Sequence, residues 1–138
     1  RIEVMCDALI DRIEGLKQDH AALIAIPGVG PATARLLIAL MPELGTLNVK
    51  QAASLAGLAP HPRQSGQTDA YRSMTGGRKQ IRRILFMAAL SAARSHPALK
   101  NFHQRLKRAG KPPKLIIAAI ARKLIVFANA TIKRIKLN

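Results

Sequence analysis

The sequence predicts an all-α fold, a compact helical domain, because apolar residues recur at helical spacing and no segment alternates as a strand would. Hydrophobic residues make up 49% of the chain and aromatic residues only 3%, so we expect an aliphatic core. A length of 138 residues suits one domain with an appendage. We therefore predict an appended helix over residues 1–20 and a helical domain over residues 21–138.

The first stretch, residues 2–20, predicts an amphipathic helix. Its apolar positions alternate at spacings of four and three, which is the rhythm of a coiled-coil seam. Because the seam is short, two interpretations stay open: the end of a coiled coil, or a helix packed on the domain. The seam residues are Ile2, Cys6, Leu9, Ile13 and Leu16.

A glycine turn follows, between two apolar helical segments, the first of which should end near Pro27. Gly28 and Gly30 flank the turn, and Pro31 stands in the first turn of the second helix, where its lacking N–H costs nothing. This is the pattern of a helix-hairpin-helix motif, whose glycines let a phosphate approach the backbone and whose helix N-terminus binds it. Such a motif contacts the nucleic-acid backbone without reading its sequence. We predict that Gly28, Gly30 and Thr33 contact nucleic acid, with a plain turn as the alternative.

Capping residues predict the next helices. Asn48 should cap a helix that Gly57 closes. Ser73 or Thr75 should cap a basic helix that runs to about Arg94. Ser95 should cap the helix after it, which has Pro97 just inside and Gly110 as its stop signal.

The last helix is predicted from about Pro113 to Ile135, and its first half is apolar nearly all round, so we expect it at the centre of the domain. Its apolar run from Leu115 is interrupted by Arg122 and Lys123 and is too short to span a bilayer. We therefore expect no membrane partner. With one cysteine in the chain, no intrachain disulfide can form, and a reducing, cytoplasmic location is the simplest inference.

The segment from Gly57 to Leu90 contains the candidate chemistry. Its first half reads as a loop, because Pro60, Pro62 and Gly66 break helices, and this loop contains Ser65. Its second half predicts a helix with a divided surface. The core-facing arc should comprise Ile81, Ile84, Leu85, Ala88 and Ala92, and the basic arc Arg78, Lys79, Arg82 and Arg83.

The charge of the chain is large and unevenly distributed. The formal net charge is +16, and five of the seven acidic residues lie in residues 1–20. After Glu43 only Asp69 is acidic, against nineteen Lys and Arg. Such a field attracts polyanions, and an anionic membrane is the second candidate after nucleic acid, which we expect as the partner.

The shortage of acids limits the chemistry that this chain can perform. Two-metal phosphoryl transfer needs several convergent carboxylates, and beyond the first helix only Glu43 and Asp69 are present. We predict no metal site, because the histidines also lack zinc-site spacing.

A covalent route needs a nucleophile and nearby cations. Ser65 is the best-placed hydroxyl, and Tyr71 is the rival nucleophile. An ordinary turn beside a solvated helix would show the same residues, so a purely structural role for Ser65 also stays open. The cations that could stabilise the reacting phosphate are Arg63, Arg72, Arg78, Lys79 and Arg82.

Three sequence elements, taken in the order in which they occur, resemble the pattern of a known protein family. The glycine turn is followed by GLAPHPRQSG and, after a short gap, by TGGRKQIRRILFMAALSAARSHP. Their most specific parts are Pro-x-x-x-x-Ser-Gly, from Pro60 to Gly66, and Gly-x-x-x-x-Arg, from Gly77 to Arg82. The chain from about residue 20 onward resembles the C-terminal transposase domain of the DEDD-type insertion-sequence transposases. Residues 1–20 resemble the end of the coiled-coil linker that joins the two halves of such enzymes. That family includes the Piv-like DNA invertases and the recombinases guided by a bridge RNA.

The resemblance implies a specific chemistry. The serine of the Ser-Gly pair, here Ser65, would be the nucleophile that forms a covalent phosphoserine bond to a DNA end. A RuvC-like domain with four acidic residues, N-terminal in the family, would bind Mg²⁺, so no cofactor is expected in this chain. The resemblance also implies a homo-oligomeric bacterial or archaeal enzyme acting on DNA, with a guide RNA as a further candidate partner. The nucleic-acid contacts would be made by Arg63, Arg72, Arg78, Lys79, Arg82 and Arg83.

A second hypothesis comes from a different class of protein. A helix-hairpin-helix module without catalytic activity, such as a repair accessory or ribosomal RNA-binding protein, would have the same charge and the same glycine turn. Under it Ser65 would be a turn residue. A base-excision glycosylase fits less well, because it needs supporting acids that this chain lacks.

Overall fold

A computed structural model of the chain describes residues 2–58 and 78–137. Within these two ranges the protein is helical and contains no strand, which confirms the all-α prediction. The helices described are α1 (Ile2–Ile24), α2 (Pro31–Leu40), α3 (Val49–Leu55), α4 (Lys79–Ser95), α5 (Pro97–Arg108) and α6 (Pro113–Leu137).

Helix α6 is the centre of the fold, as its apolar first half predicted, and it contacts α1, α3, α4 and α5. The expectation that its apolar run is too short to span a bilayer is wrong, because by length and composition α6 is apolar enough to cross a membrane. However, 44% of its apolar window is buried inside the protein. A helix that is apolar on most sides is typical of a protein core, so we interpret α6 as the core helix. Its buried residues are Ile116, Ile120, Ala121, Leu124, Ile125, Ala128, Asn129 and Ile132.

One buried polar residue fixes the connection between α2 and α3 to the core helix. The Asn129 side chain accepts a hydrogen bond from the Gly45 amide at 2.7 Å and donates one to the Leu47 carbonyl at 2.7 Å. Lys133 donates a second bond to the same carbonyl at 2.9 Å. Because buried polar groups need partners, these bonds hold the α2–α3 connection, and Glu43 within it, against α6.

Helix α1 is longer than predicted. We expected a helix to residue 20 and a separate apolar helix ending at Pro27, but α1 continues unbroken to Ile24, since Ala21 and Ala22 offer no reason to stop. Its seam faces solvent, with exposed fractions from 76% at Ile2 to 43% at Leu16. This exposure favours the coiled-coil interpretation over packing on the domain. The boundary at residue 20 stays a prediction.

The helix caps test the local predictions. Asn48 caps α3 with a reciprocal capping box to Gln51, as expected. The prediction for Ser95 is wrong: α4 runs through Ser95, whose hydroxyl donates to the Ser91 carbonyl at 2.9 Å. The Nδ1 atom of His96 caps α5 instead, accepting from the Leu99 amide at 3.4 Å. The prediction that Ser73 or Thr75 caps the basic helix is also wrong: α4 begins at Lys79, its N-cap is Arg78, and the Arg78 side chain does not cap it. Ser73 and Thr75 themselves lie outside the described residues.

Candidate nucleic-acid interface

The turn between α1 and α2 contains the two predicted glycines, and their surroundings differ. The turn is closed by a bond of 3.0 Å from the Val29 amide to the Ile26 carbonyl, and Val29 is buried. Gly28 has a φ of +100°, and a Cβ on it would lie 2.5 Å from the Ala92 Cβ and 2.7 Å from the Ala92 Cα. Gly28 is therefore required by close packing on α4, and its contact with nucleic acid stays a prediction.

Gly30 faces open space instead. A Cβ placed on it would have no neighbour within 4 Å. It is the N-cap of α2 in an extended conformation, Pro31 follows it, and no side chain caps the first amides of the helix. Thr33 is half-buried in that first turn. An uncapped helix start with the positive end of its dipole exposed is suited to a phosphate.

The first turns of α4 carry the predicted basic arc. Lys79 and Arg83 are exposed and Arg82 is half-buried, and no acidic residue stands in the first turn. Cations at a helix N-terminus oppose the helix dipole and reduce stability. A polyanion bound there would remove that cost. The predicted core arc on the other side is confirmed: Ile81, Leu85, Ala88 and Ala92 are buried, and Ile84 is half-buried.

Arg78 has partners inside the protein. Its guanidinium donates two hydrogen bonds to the Glu43 carboxylate, at 2.7 Å and 2.9 Å, and a third to the Leu40 carbonyl at 2.7 Å. The hydrogen bond from Arg78 lowers the pKa of Glu43 to about 2, and the carboxylate raises the pKa of Arg78. A bidentate pair of this kind fixes both side chains. Arg78 thus joins the start of α4 to the end of α2, and its predicted contact with nucleic acid remains untested.

The described residues also include both attachment points of the segment that contains Ser65. At one end, the Leu58 amide donates to the Ala53 carbonyl at 2.8 Å. At the other end, the Arg78 amide donates to the Leu55 carbonyl at 2.9 Å. The chain therefore leaves and re-enters the described structure at one junction, between the end of α3 and the basic start of α4. Ser65, Arg63, Arg72 and Tyr71 themselves lie outside the described residues.

Carboxylates are unevenly placed in the described structure. Sequence positions 78–137 contain no Asp or Glu at all, and Glu43 is used by Arg78. No group of three or more His, Cys, Asp or Glu that could hold a metal ion occurs among residues 2–58 and 78–137. The residues described do not fit a Mg²⁺ site.

Sequence reasoning missed the pairing of Glu43 with Arg78. The signal available was that Glu43 is the only acid between residues 20 and 68, and a lone carboxylate among cations is expected to find a partner. Sequence alone does not say which cation it meets.

Comparison with known proteins shows which family the chain belongs to. Residues 20–104 match the model of the transposase family described as IS116/IS110/IS902. The chain is 37% identical over 130 residues to the pilin gene-inverting protein of Moraxella bovis, and 36% identical over 130 residues to that of Moraxella lacunata. It is 31% identical over 132 residues to an uncharacterized 43.6 kDa protein of insertion element IS110 from Streptomyces coelicolor.

Each alignment covers 91% of this chain, but only 40% of either Moraxella protein and 32% of the Streptomyces protein. The chain therefore spans less than half of the length of these relatives. The family match includes the glycine turn, the segment around Ser65 and the basic start of α4. This chain belongs to the IS116/IS110/IS902 transposase family.

Proposed function

We propose that this chain is the part of a DNA-recombining enzyme that supplies a serine nucleophile, Ser65, for strand cleavage and exchange. The observation that carries the proposal is the junction at which the Ser65 segment is attached. Ser65 follows Leu58 by seven residues, so even an extended chain keeps it within about 25 Å of Leu58. The Arg78–Leu55 bond brings the cationic start of α4 to that same junction.

The proposed step is a transesterification at phosphorus. The Ser65 hydroxyl loses its proton and its oxygen forms a bond to phosphorus, while the bond from phosphorus to one deoxyribose oxygen breaks. The departing oxygen takes up a proton, and the DNA end stays linked to serine as a phosphodiester. Because one phosphodiester replaces another, the reverse attack by a different DNA end can complete strand exchange.

The cations around the junction would stabilise the negative charge that grows on the phosphate oxygens during attack. Lys79 and Arg83 are exposed at the start of α4, and Arg63, Arg72 and Arg82 are the further candidates from the sequence. Gly30 and Thr33, at the start of α2, would hold a neighbouring backbone phosphate. These contacts position DNA without selecting its sequence.

Some requirements of the reaction would be met outside the described residues. We assign Mg²⁺ to a RuvC-like domain of the longer enzyme, because the carboxylates described here do not converge. Assembly as a homo-oligomer and a guide RNA as second nucleic-acid partner also belong to this proposal. An enzyme that acts on genomic DNA in a bacterium or archaeon would be cytoplasmic.

The test separates chemistry from binding. Ser65→Ala, introduced into an enzyme that joins this chain to the remaining length found in its relatives, should abolish recombination and leave DNA affinity within about twofold. Tyr71→Phe is the matched control, since it removes the rival nucleophile and should leave recombination in place. Loss of recombination in Tyr71→Phe with retention in Ser65→Ala would contradict the proposal. Full activity in both variants would favour a non-catalytic helix-hairpin-helix module.

A further inference from the structure

A cleft between α5 and α6 brings three cations together, and none of its lining residues belongs to the candidate interface. Its volume is about 370 Å³, and every lining residue comes from these two helices. The cations are Arg105 and Arg108 from α5 and Lys123 from α6, and all three are exposed. The remaining lining residues are Ala98, Leu99, Asn101, Phe102 and Phe127.

One aromatic ring orders two of these cations. The Arg105 Cζ atom lies 5.3 Å from the centroid of the Phe102 ring, and the Lys123 Nζ atom lies 4.6 Å from it. Both distances are within the range of cation–π attraction. Phe102 is itself half-buried against the core. The ring therefore attracts cations from two different helices and keeps them close to one side chain.

No carboxylate balances this cluster in the structure described. The acidic residues with described side chains lie on α1 or, as Glu43, are bound to Arg78, and positions 78–137 contain none. Arg105 and Arg108 stand in the last turn of α5, where cations favour the helix dipole. Lys123 lies in the middle of α6, so the helix dipole does not favour a cation at its position.

We propose that this cleft binds the backbone phosphates of a second nucleic-acid segment, distinct from the segment that meets the starts of α2 and α4. A phosphate would lie between Arg105, Arg108 and Lys123 and would provide the negative charge that the cluster lacks. Cations pre-ordered by Phe102 lose less conformational freedom on binding than free side chains do. Strand exchange involves more than one nucleic-acid segment, so a second binding surface suits the proposed function.

The cleft would contact phosphate rather than bases. The Phe102 ring is half-buried and already has Arg105 and Lys123 within cation–π distance, so a base stacked on it would compete with these cations, whereas aromatic residues that bind single strands usually stack on bases. Contacts limited to phosphate carry no sequence information. Binding at this cleft should therefore be equally strong for DNA and RNA of one length and should depend steeply on salt.

The test compares two triple variants that remove the same charges. Arg105, Arg108 and Lys123 are each changed to Gln in one protein, and Arg12, Lys17 and Arg35, exposed cations of α1 and α2, are changed to Gln in the other. Affinity for a labelled single-stranded DNA and for an RNA of the same sequence is measured against salt concentration. Each lost phosphate contact should lower the salt slope by about 0.7. The cleft variant should thus lose a slope of about 2 and about tenfold or more in affinity on both strands, and the control variant clearly less.

Equal losses in the two triple variants would overturn the inference, because only the total charge would then matter. A loss confined to RNA would also overturn it, since phosphate contacts do not distinguish the two strands. Phe102→Leu adds a second measurement: it keeps an apolar side chain, removes the ring, and should weaken binding about two- to fivefold. Unchanged affinity in Phe102→Leu with the fold retained would contradict the ordering role of the ring.

The inference rests on nucleic-acid binding by this chain but not on the serine chemistry. If the unchanged protein binds neither strand, the proposed function fails together with the cleft. If it binds both strands and the cleft variant matches its control, only the cleft proposal fails.

Discussion

The two sides of the α1–α2 turn use the same residue type for different purposes. Gly28 is pressed against Ala92 of α4, whereas Gly30, two positions later, has no neighbour where a side chain would stand. The start of α4 shows the same division among cations: Arg78 is bound to Glu43, and Arg83 is exposed. Two residues of one type in one short motif can therefore differ in role, one packing inside the protein and the other facing solvent. Only the tertiary contacts show which role each residue has.

The largest expected effect is on the stability of the fold and concerns Gly28, the glycine that packs against α4. Gly28→Ala places a Cβ within 2.9 Å of three Ala92 atoms and imposes a left-handed backbone on a residue that avoids it. None of these three atoms can move without shifting α4, so we expect a loss of about 2–4 kcal/mol in the free energy of unfolding. Urea denaturation measures it. Gly30→Ala is the control and should change the stability by less than about 0.5 kcal/mol; equal losses in both variants would contradict the comparison.

A substitution at Gly30, which has no neighbour where a side chain would stand, should instead affect nucleic-acid binding. Gly30→Val adds a branched side chain where a phosphate would approach the α2 amides, and the position leaves room for it within the protein. We expect DNA affinity to fall about tenfold, with the free energy of unfolding lowered by no more than about 1 kcal/mol. Fluorescence anisotropy with a labelled duplex measures the affinity. An unchanged dissociation constant would mean that the turn has only a structural role.

The cations of α4 offer a second matched pair. Arg83→Gln should lower the salt slope of DNA binding by about 0.9, which is one phosphate contact, and leave stability unchanged. Arg78→Gln should do the opposite and lower stability by about 1 kcal/mol, since it breaks a partly exposed ion pair. Both slopes come from titrations between low and moderate salt. If Arg78→Gln reduces the slope as much as Arg83→Gln does, Arg78 contacts nucleic acid as the sequence predicted.

The smallest effect concerns the pH dependence of the Glu43–Arg78 pair. The hydrogen bond from Arg78 lowers the pKa of Glu43 to about 2 in the folded protein, from an ordinary value of 4.5. A lowered folded pKa stabilises the protein fully above the unfolded value, and this contribution is lost as pH falls from 4.5 toward 2. The pair is about one-third exposed, so we expect at most about 1 kcal/mol.

Glu43→Gln removes the charge and keeps an oxygen that can accept from Arg78. The stability difference between this variant and the unchanged protein should be largest at neutral pH and vanish near the folded pKa of about 2. Thermal unfolding across this pH range measures the difference. A difference that stays constant with pH would show that the charge of Glu43 does not contribute.

Local patterns in the sequence predicted much of the fold. The Asn48 cap, the buried arc of α4 and the central position of α6 all follow from spacing within one or two helical turns, and all three are confirmed. The error at Ser95 is also local, because two adjacent residues competed for one cap and Pro97 fixed the cap at His96.

The contacts that separate structural residues from ligand-facing residues in the candidate site join positions far apart in the sequence. Glu43 and Arg78 are 35 positions apart, and Gly28 meets Ala92 from another helix. Periodicity describes which side of a helix is buried but not which helix lies against it, so neither contact could be read from the sequence. The proposed role of Ser65 rests on the family resemblance, because no local pattern in the sequence distinguishes a nucleophile from a turn residue.

The most direct measurement traps the covalent intermediate. The longer enzyme is incubated with a DNA substrate nicked so that the exchanged strand cannot be rejoined, and the protein–DNA adduct is digested and mapped by mass spectrometry. The account predicts a nucleotide linked to the oxygen of Ser65, and no adduct in Ser65→Ala. An adduct on Tyr71, or recombination that proceeds with no adduct at all, would contradict it.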